Sequence, residues 1–253
     1  MNAVRTALPL IILLFLAACA PRVPEPQLSD VPPGPLLQAL EQRNRAFLSL
    51  RATASAQAFR KGRRLGLDNV VVLIRSRERL RIDAYGPLGQ PILEIAWNGS
   101  DMQLRQYGQP VPLKPGAGLE RYLGADIEPG ELCAVLSGNI PLPADGAGAH
   151  ARCGGDNCVL ELEHGDLVRR IQLAPPGAGA DVRPAVYELS RSGVLLFRAR
   201  FEQWMTAASY AVPRKVILES PERKAGITLQ YEDIELNTAL DEGAFSLFDR
   251  KGP

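Results

Sequence analysis

Alternation of apolar and polar positions runs through most of the chain. In RATASAQAF, residues 51–59, Ala52, Ala54, Ala56 and Ala58 alternate with Thr53, Ser55 and Gln57, the period-two order of a half-buried strand with small side chains on its covered face. DNVVVLI (68–74), RLRIDA (79–84), PILEIAW (91–97) and DMQLRQY (101–107) follow, separated by short turns. After a break, VLEL, LVRRIQL, AVYELS, VLLFRARFEQW, RKVILES and GITLQYEDIEL continue the series. The pattern predicts roughly ten to eleven antiparallel strands of a barrel or sandwich.

Two segments break the alternation. LLQALEQRNRAFLSL, residues 36–50, places Leu36, Leu37, Leu40, Phe47 and Leu50 at roughly helical spacing, with Arg43, Asn44 and Arg45 interrupting the stripe, and predicts one amphipathic helix. Within 117–137, AGLERYLG and EPGELCAVLSG read as two short helices. In the second, Pro129 suits a first helical position and Glu131 sits near the positive N-terminal end. A helix pair inserted in a curved sheet can plug its concave side. The expected architecture is mainly β with helices, an incomplete antiparallel barrel with a helical plug.

The N-terminus changes the compartment. Met1 to Arg5 form a short region with one positive charge, followed by the apolar run LPLIILLFLAA, too short for a membrane span and read as a secretory signal. Leu16-Ala17-Ala18-Cys19 resembles the lipobox of bacterial lipoproteins, in which the signal is removed before the cysteine and the cysteine is acylated. The resemblance implies a signal peptide over 1–18 and a lipidated proline-rich tether over 19–35, and the length that remains predicts a single domain over 36–253. At ~0.8 kcal/mol per buried methylene, three acyl chains make an effectively permanent anchor. Position 20 is alanine rather than aspartate, and resemblance to the sorting rule of enteric bacteria, in which aspartate there goes with inner-membrane retention, implies the periplasmic face of the outer membrane.

Composition excludes several functions. The formal net charge is +1 with charges interspersed, so nothing along the chain reads as a footprint for nucleic acid or as a basic tail for anionic lipid. Of the 21 prolines and 23 glycines, 14 and 8 are concentrated in 21–35, 108–118, 139–148 and 174–184, which read as tether and loops. Cys153 and Cys158 bracket a GGDN turn, where a disulfide can close a short hairpin. A metal site is the competing reading of that pair, but no second pair or histidine stands at ligand spacing, and an oxidising compartment favours the bridge. Cys133 falls in an apolar helical pattern and reads as a buried thiol. His150 and His164 stand apart from any nucleophile motif, so the reading is not an enzyme: no catalytic residue, no metal and no cofactor.

One turn is odd for its leucine. AYGPLGQPI, residues 84–92, sets Leu88 between Pro87 and Gly89, where polar residues are usual. Either Leu88 folds inward or it meets something apolar.

RLRIDAYGPLGQPILEIAWNGSDMQL, followed by GLERYLGADIEPGELCAVLSGNIP, resembles the family of the outer-membrane lipoprotein receptor LolB and its LolA-like relatives. The shared features are the loop Gly86-Pro87-Leu88-Gly89, with Gly86 where that family has asparagine, the turn Asn98-Gly99, and Leu136-Ser137-Gly138-Asn139-Ile140-Pro141. The ending GAFSLF also occurs in related periplasmic carriers. This resemblance implies an incomplete barrel whose apolar cavity accepts acyl chains of lipoproteins, or other lipid, handed over by a soluble periplasmic LolA-like carrier. It also implies that Pro87, Leu88 and Gly89 form a loop meeting the bilayer. Alternation supplies candidates for the lining: Val70, Val72, Ile74, Leu80, Ile82, Leu93, Ile95, Trp97, Leu104, Leu132 and Leu136, claimed as a set because any one of them can be plain core. The contrasting function is a structural outer-membrane lipoprotein serving as an interaction subunit of an envelope assembly.

Overall fold

The computed structural model describes residues 28–76, 78–113, 119, 127–143, 148–155, 157–174, 182–207 and 210–248. Residues 1–18, Cys19 and the tether up to position 27 lie outside it, as does AGLERYLG apart from Leu119.

Fourteen strands make one antiparallel sheet. In chain order they are β1 (Ser29–Val31), β2 (Ser49–Arg60), β3 (Arg63–Arg75), β4 (Arg79–Tyr85), β5 (Pro91–Trp97), β6 (Met102–Gln106) and β7 (Gln109–Pro110). Then come β8 (Ala149–Gly154), β9 (Asn157–His164), β10 (Leu167–Ala174), β11 (Arg183–Arg191), β12 (Val194–Ala207), β13 (Tyr210–Ser220) and β14 (Ala225–Leu236). Their spatial order is β1-β8-β9-β10-β11-β12-β13-β14-β2-β3-β4-β5-β6-β7. The end strands β1 and β7 do not pair with each other, so the sheet is open. Ten to eleven strands is therefore an undercount. The three outside that series are β1, β7 and β8, of three, two and six residues; β1 and β7 are too short to show a period, and β8, AHARCG, alternates but has no bulky apolar side chain to mark its dry face. β1 also falls inside the segment expected to be tether.

Two α-helices are described, α1 (Gly34–Ala46) and α2 (Pro129–Ser137). α1 stops four residues short of the expected Leu50. The Asn237 side chain ends it, donating to the Ala46 carbonyl at 3.0 Å and accepting from the Leu48 amide at 2.8 Å, while Leu50 enters the sheet opposite Ile74 and Leu236. α2 begins on Pro129 and ends at Gly138 in the left-handed region, φ 70°. A Cβ there would also strike the Pro213 ring. Gly138 is thus required twice, by conformation and by packing.

α2 dictates the curvature. It touches both β4 and β13, which stand four places apart in the sheet, roughly 19 Å on a flat surface at ~4.8 Å per strand. A helix about 10–12 Å wide reaches both only if the sheet curls around it. Every residue from Glu131 to Ser137 is buried, as expected of a helix enclosed on all sides. Tyr231 of β14 donates to the Leu136 carbonyl at 2.9 Å, and burial pushes that phenol's pKa up. Asn139 accepts from the Tyr210 hydroxyl at 2.6 Å and donates to Ser137 Oγ. The Leu136–Pro141 motif is therefore the fastening between α2 and the sheet.

α1 packs where β13 begins. Its Arg43 is buried rather than solvated, donating to the Ala211 carbonyl at 2.6 Å and the Gly138 carbonyl at 3.3 Å, and stacking on Tyr210 and Trp204. On the convex side, a 3-10 turn, Glu242–Phe245, leads a C-terminal strap across β4–β6. Arg81 and Arg105 donate to the Ser246 and Leu247 carbonyls, and Gln103 accepts from the Leu247 amide. Beneath the strap, Arg81 pairs with Asp83 and Glu94. Burial raises the Asp83 carboxyl pKa, against the opposing pull of its Arg81 hydrogen bond. Cys153 and Cys158 are disulfide-bonded across β8 and β9, next to the pairing of β1 with β8. Cys133 is a buried free thiol, with its pKa pushed up by burial.

Candidate functional site

The concave face of the sheet is not completely filled. Between it and α2 lies a cavity of about 240 Å³. Its walls come from β2 and β3 (Ala56, Ala58, Leu65, Leu67, Val70), β4 and β5 (Ile82, Ala84, Ile92, Leu93, Ile95), β13 and β14 (Val216, Leu218, Ile227, Leu229) and α2 (Leu132, Leu136), with Gln106 and Tyr107 at the end of β6. The space follows from the sequence of β2. Where neighbouring strands carry Leu, Ile or Val, the inward positions of β2 from 52 to 58 are all alanine, and the volume those side chains lack is left open between layers.

The cavity opens at one end of the half-barrel. Leu65 and Tyr107 line it yet are 56% and 68% exposed, so they mark the mouth. Strand registers put the β2/β3, β4/β5, β6/β7, β11/β12 and β13/β14 turns at this end. Of the six large apolar side chains exposed among the described residues, five (Phe59, Leu65, Leu88, Tyr107 and Val194) gather here, and only Leu48 stands elsewhere.

Leu88 is 93% exposed at the tip of the β4/β5 loop, which removes the inward-folded alternative. The loop is closed by its own bonds. The Gly89 amide donates to the Gly86 carbonyl at 2.9 Å, the Gly86 amide to the Gln90 carbonyl at 2.8 Å, and the Leu88 amide to Gln90 Oε1 at 3.0 Å. Pro87 presets the first corner position, and Gly89 supplies the left-handed residue, φ 77°, that returns the chain to β5. Because Gln90 satisfies the Leu88 amide, no polar side chain is needed at 86, and a Cβ there would collide with the Gln90 amide.

The sequence-derived lining set splits. Val70, Ile82, Leu93, Ile95, Leu132 and Leu136 border the cavity. Val72, Ile74, Leu80 and Leu104 are fully buried core outside its lining, and Trp97 packs half-buried against that core. They occupy the inward face farther from the mouth, where packing is complete. The β13/β14 wall is absent from that set: Ile227 and Leu229 alternate with Thr228 and Gln230, whereas Val216, Ile217 and Leu218 form an unbroken apolar run that does not tell one face from the other.

Near the cavity, Glu131 of α2 accepts from Arg169 Nη2 at 2.9 Å and from the Tyr187 hydroxyl at 2.8 Å. Burial, and then the adjacent Glu131 carboxylate, hold the Tyr187 phenol's pKa well above its ordinary value. Burial works against the Arg169 charge, but Tyr187 and Glu131 together outweigh it and raise its pKa. This cluster fixes α2 to β10 and β11. His150 and His164 are exposed on β8 and at the end of β9, and among the described residues no three potential metal ligands come together.

Several solved structures share the architecture. A LolA superfamily protein from Nitrosomonas europaea superposes with a TM-score of 0.55 at 17% identity, covering 83% of this chain and 96% of that one. The fold is LolA-like. An outer membrane lipoprotein-sorting protein domain from Vibrio parahaemolyticus gives 0.57 at 12% identity, covering 83% and 94%. A DUF1329 family protein from Desulfovibrio piger gives 0.58 at 10%, covering 84% and 95%. No family model matches the chain, and no curated protein matches its sequence.

Proposed function

We propose that the protein is a non-enzymatic carrier that holds an acyl chain in the cavity between α2 and the curled sheet and delivers it to a membrane. The observation that carries this reading is an apolar cavity whose mouth lies at the same end as an exposed, stiffly held leucine. Acyl chains are costly in water, and a concave apolar wall without reactive groups removes that cost reversibly. The LolA-like fold supports the reading, since one structure sharing it is described as lipoprotein-sorting. The finer form is a LolB-like receptor on the periplasmic face of the outer membrane, anchored through acylated Cys19 and receiving lipoprotein acyl chains from a soluble LolA-like carrier. Mass spectrometry of the N-terminal peptide from membrane-derived protein should find Cys19 as a lipidated first residue. An unmodified Met1 or Cys19 would remove the anchor.

The cavity is tested by filling it. Ala58→Phe places a ring in space that is now open, so the unfolding midpoint should stay level or rise slightly, as cavity filling usually does. Affinity for a fluorescent acyl probe should fall at least tenfold, equal to losing about 1.4 kcal/mol of apolar contact. Unchanged probe affinity in that variant would move the binding site elsewhere. Wild-type protein that binds no acyl probe, while holding a stable protein partner in pull-downs, would favour the interaction subunit instead.

A further inference from the structure

Folding sorts the cations of this nearly neutral chain into two populations. Exposed arginines elsewhere on the sheet are paired: Arg51, Arg75, Arg152, Arg170 and Arg191 each have a carboxylate within 4.0 Å. Arg214 bonds instead to the Tyr231 and Glu232 carbonyls, and Arg60 and Arg223 are engaged as well. Among the described residues, the lysines and arginines whose side chains make no hydrogen bond, ion pair or ring contact are Lys61, Arg63, Arg64 and Lys224. All four are exposed.

They stand together at the cavity mouth. Lys61 lies in the β2/β3 turn, Arg63 and Arg64 open β3, Lys224 ends the β13/β14 turn, and the Lys61 amide donates to the Lys224 carbonyl at 3.1 Å. The one carboxylate on these two tips, 60–64 and 221–224, is Glu222. Alternation sends the charges to both sides of the hairpin: Leu65 lines the cavity, so Arg63 shares its face and Arg64 takes the opposite one. Cations spread around a tip in this way do not converge on a single anion; they suit a flat field of anions beyond it. Apolar side chains are interleaved with them. Phe59 and Leu65 on the same hairpin are exposed, as are Leu88 and Tyr107 at the same end, and a surface that mixes long cations with exposed apolar groups matches the headgroup layer of a bilayer.

We propose that the cavity mouth docks on an anionic bilayer, with Lys61, Arg63, Arg64 and Lys224 at the level of the lipid headgroups. This rests on the protein being a carrier that delivers to a membrane, and it names the kind of bilayer that receives the cargo. An acidic protein surface would match the charge but would offer no hydrocarbon to Leu65 and Leu88, so the observations favour lipid. Each lysine or arginine held near an anionic surface contributes about fivefold to binding. That contribution fades within a Debye length, so the cations that count are those at the end touching the membrane.

The test uses the chain from residue 19 onward carrying Cys19→Ser, which removes the acyl anchor that would mask weaker contacts; every described element lies between Ser29 and Phe245. Cosedimentation compares vesicles of phosphatidylcholine alone with an equimolar mixture of phosphatidylcholine and phosphatidylglycerol. Binding to the anionic vesicles should be tighter by about tenfold or more at low ionic strength, and salt should erase most of the difference. Arg63→Gln/Arg64→Gln should lose about tenfold on anionic vesicles and nothing on neutral ones, with an unchanged unfolding midpoint because both side chains are exposed and unpartnered. Arg63→Lys/Arg64→Lys should keep the advantage, since a field of headgroups reads charge rather than fork geometry. Arg152→Gln/Arg170→Gln, which removes the same charge from paired positions, should bind like the wild type. Equal wild-type affinity for the two vesicles would overturn the charge assignment and leave delivery to a membrane standing. Neither binding to either vesicle nor unloading of a fluorescent fatty acid into it would overturn the delivery reading itself. An equal loss in Arg152→Gln/Arg170→Gln would reduce the effect to net charge and overturn the patch. Tighter binding to polyglutamate than to anionic vesicles, at equal charge concentration, would reassign the tips to an acidic protein surface.

Discussion

Glu131→Ala is expected to lower the unfolding free energy by about 3–5 kcal/mol, the range for leaving one member of a buried ion pair unmatched. The Glu131 side chain is 7% exposed and Arg169 18%, so little water is at hand to replace the lost carboxylate. The substitution strands two donors at once, because Tyr187 also gives its hydroxyl proton to this carboxylate. Tyr187 is itself fully buried, and that burial is the first cause of its raised phenol pKa, so no water reaches the stranded hydroxyl either. The damage also reaches the cavity, since the helix that Glu131 fastens carries Leu132 and Leu136 into the lining. Chemical denaturation measures the first effect and acyl-probe affinity the second. Replacing both charges, Glu131→Leu with Arg169→Met, should recover much of the loss, because a buried pair exchanged for apolar groups of similar size is often neutral. A single variant within about 1 kcal/mol of wild type would mean that the cluster does not hold α2 in place.

How far the sequence disclosed this molecule varies with the physics of each part. Long alternating strands such as β5 and β14 are legible because one face is dry and the other wet, and β-periodicity records that difference residue by residue. The β2/β3 turn is not legible in this way. RKGRRLG looks like a solvated loop, yet Lys61 and Gly62 both take positive φ, 48° and 81°, the geometry of a tight two-residue hairpin that normally advertises itself with Asn-Gly. Arg43 misleads differently. Read as a break in an apolar stripe, it is in fact part of the core, because the Gly138 and Ala211 carbonyls and two aromatic faces supply what water would. The cavity was half legible. Alternation sorts Ile227 and Leu229 onto a face, but which part of that face stays unfilled depends on curvature, and curvature is set by where α2 lies. The cationic mouth was hidden for the same reason. Two hairpins more than 150 residues apart in sequence become neighbours only when β14 pairs with β2, so a chain-wide charge of +1 conceals them.

Leu88→Glu should leave the fold and the cavity untouched and still disable delivery. At 93% exposure, the side chain contributes almost nothing to packing, and substitutions at such sites usually stay within ±0.5 kcal/mol. The backbone bonds that shape the loop come from Gly86, Gly89 and Gln90, none of which the change disturbs. Probe affinity should likewise hold, because Leu88 is not among the lining residues. Transfer is another matter. Sinking a leucine into a bilayer gains about 2 kcal/mol, worth roughly thirtyfold in the population of the docked state, and glutamate forfeits that gain while adding a desolvation cost of its own. Release of a fluorescent fatty acid from loaded protein to liposomes should therefore slow at least tenfold in Leu88→Glu and remain near wild type in Leu88→Phe. A glutamate variant that unloads at the wild-type rate would strip the loop of its membrane role. A variant that loses stability would contradict the exposed placement of Leu88. The expected pattern, intact fold and loading with slow unloading, would separate capture in the cavity from delivery by the loop beside its mouth.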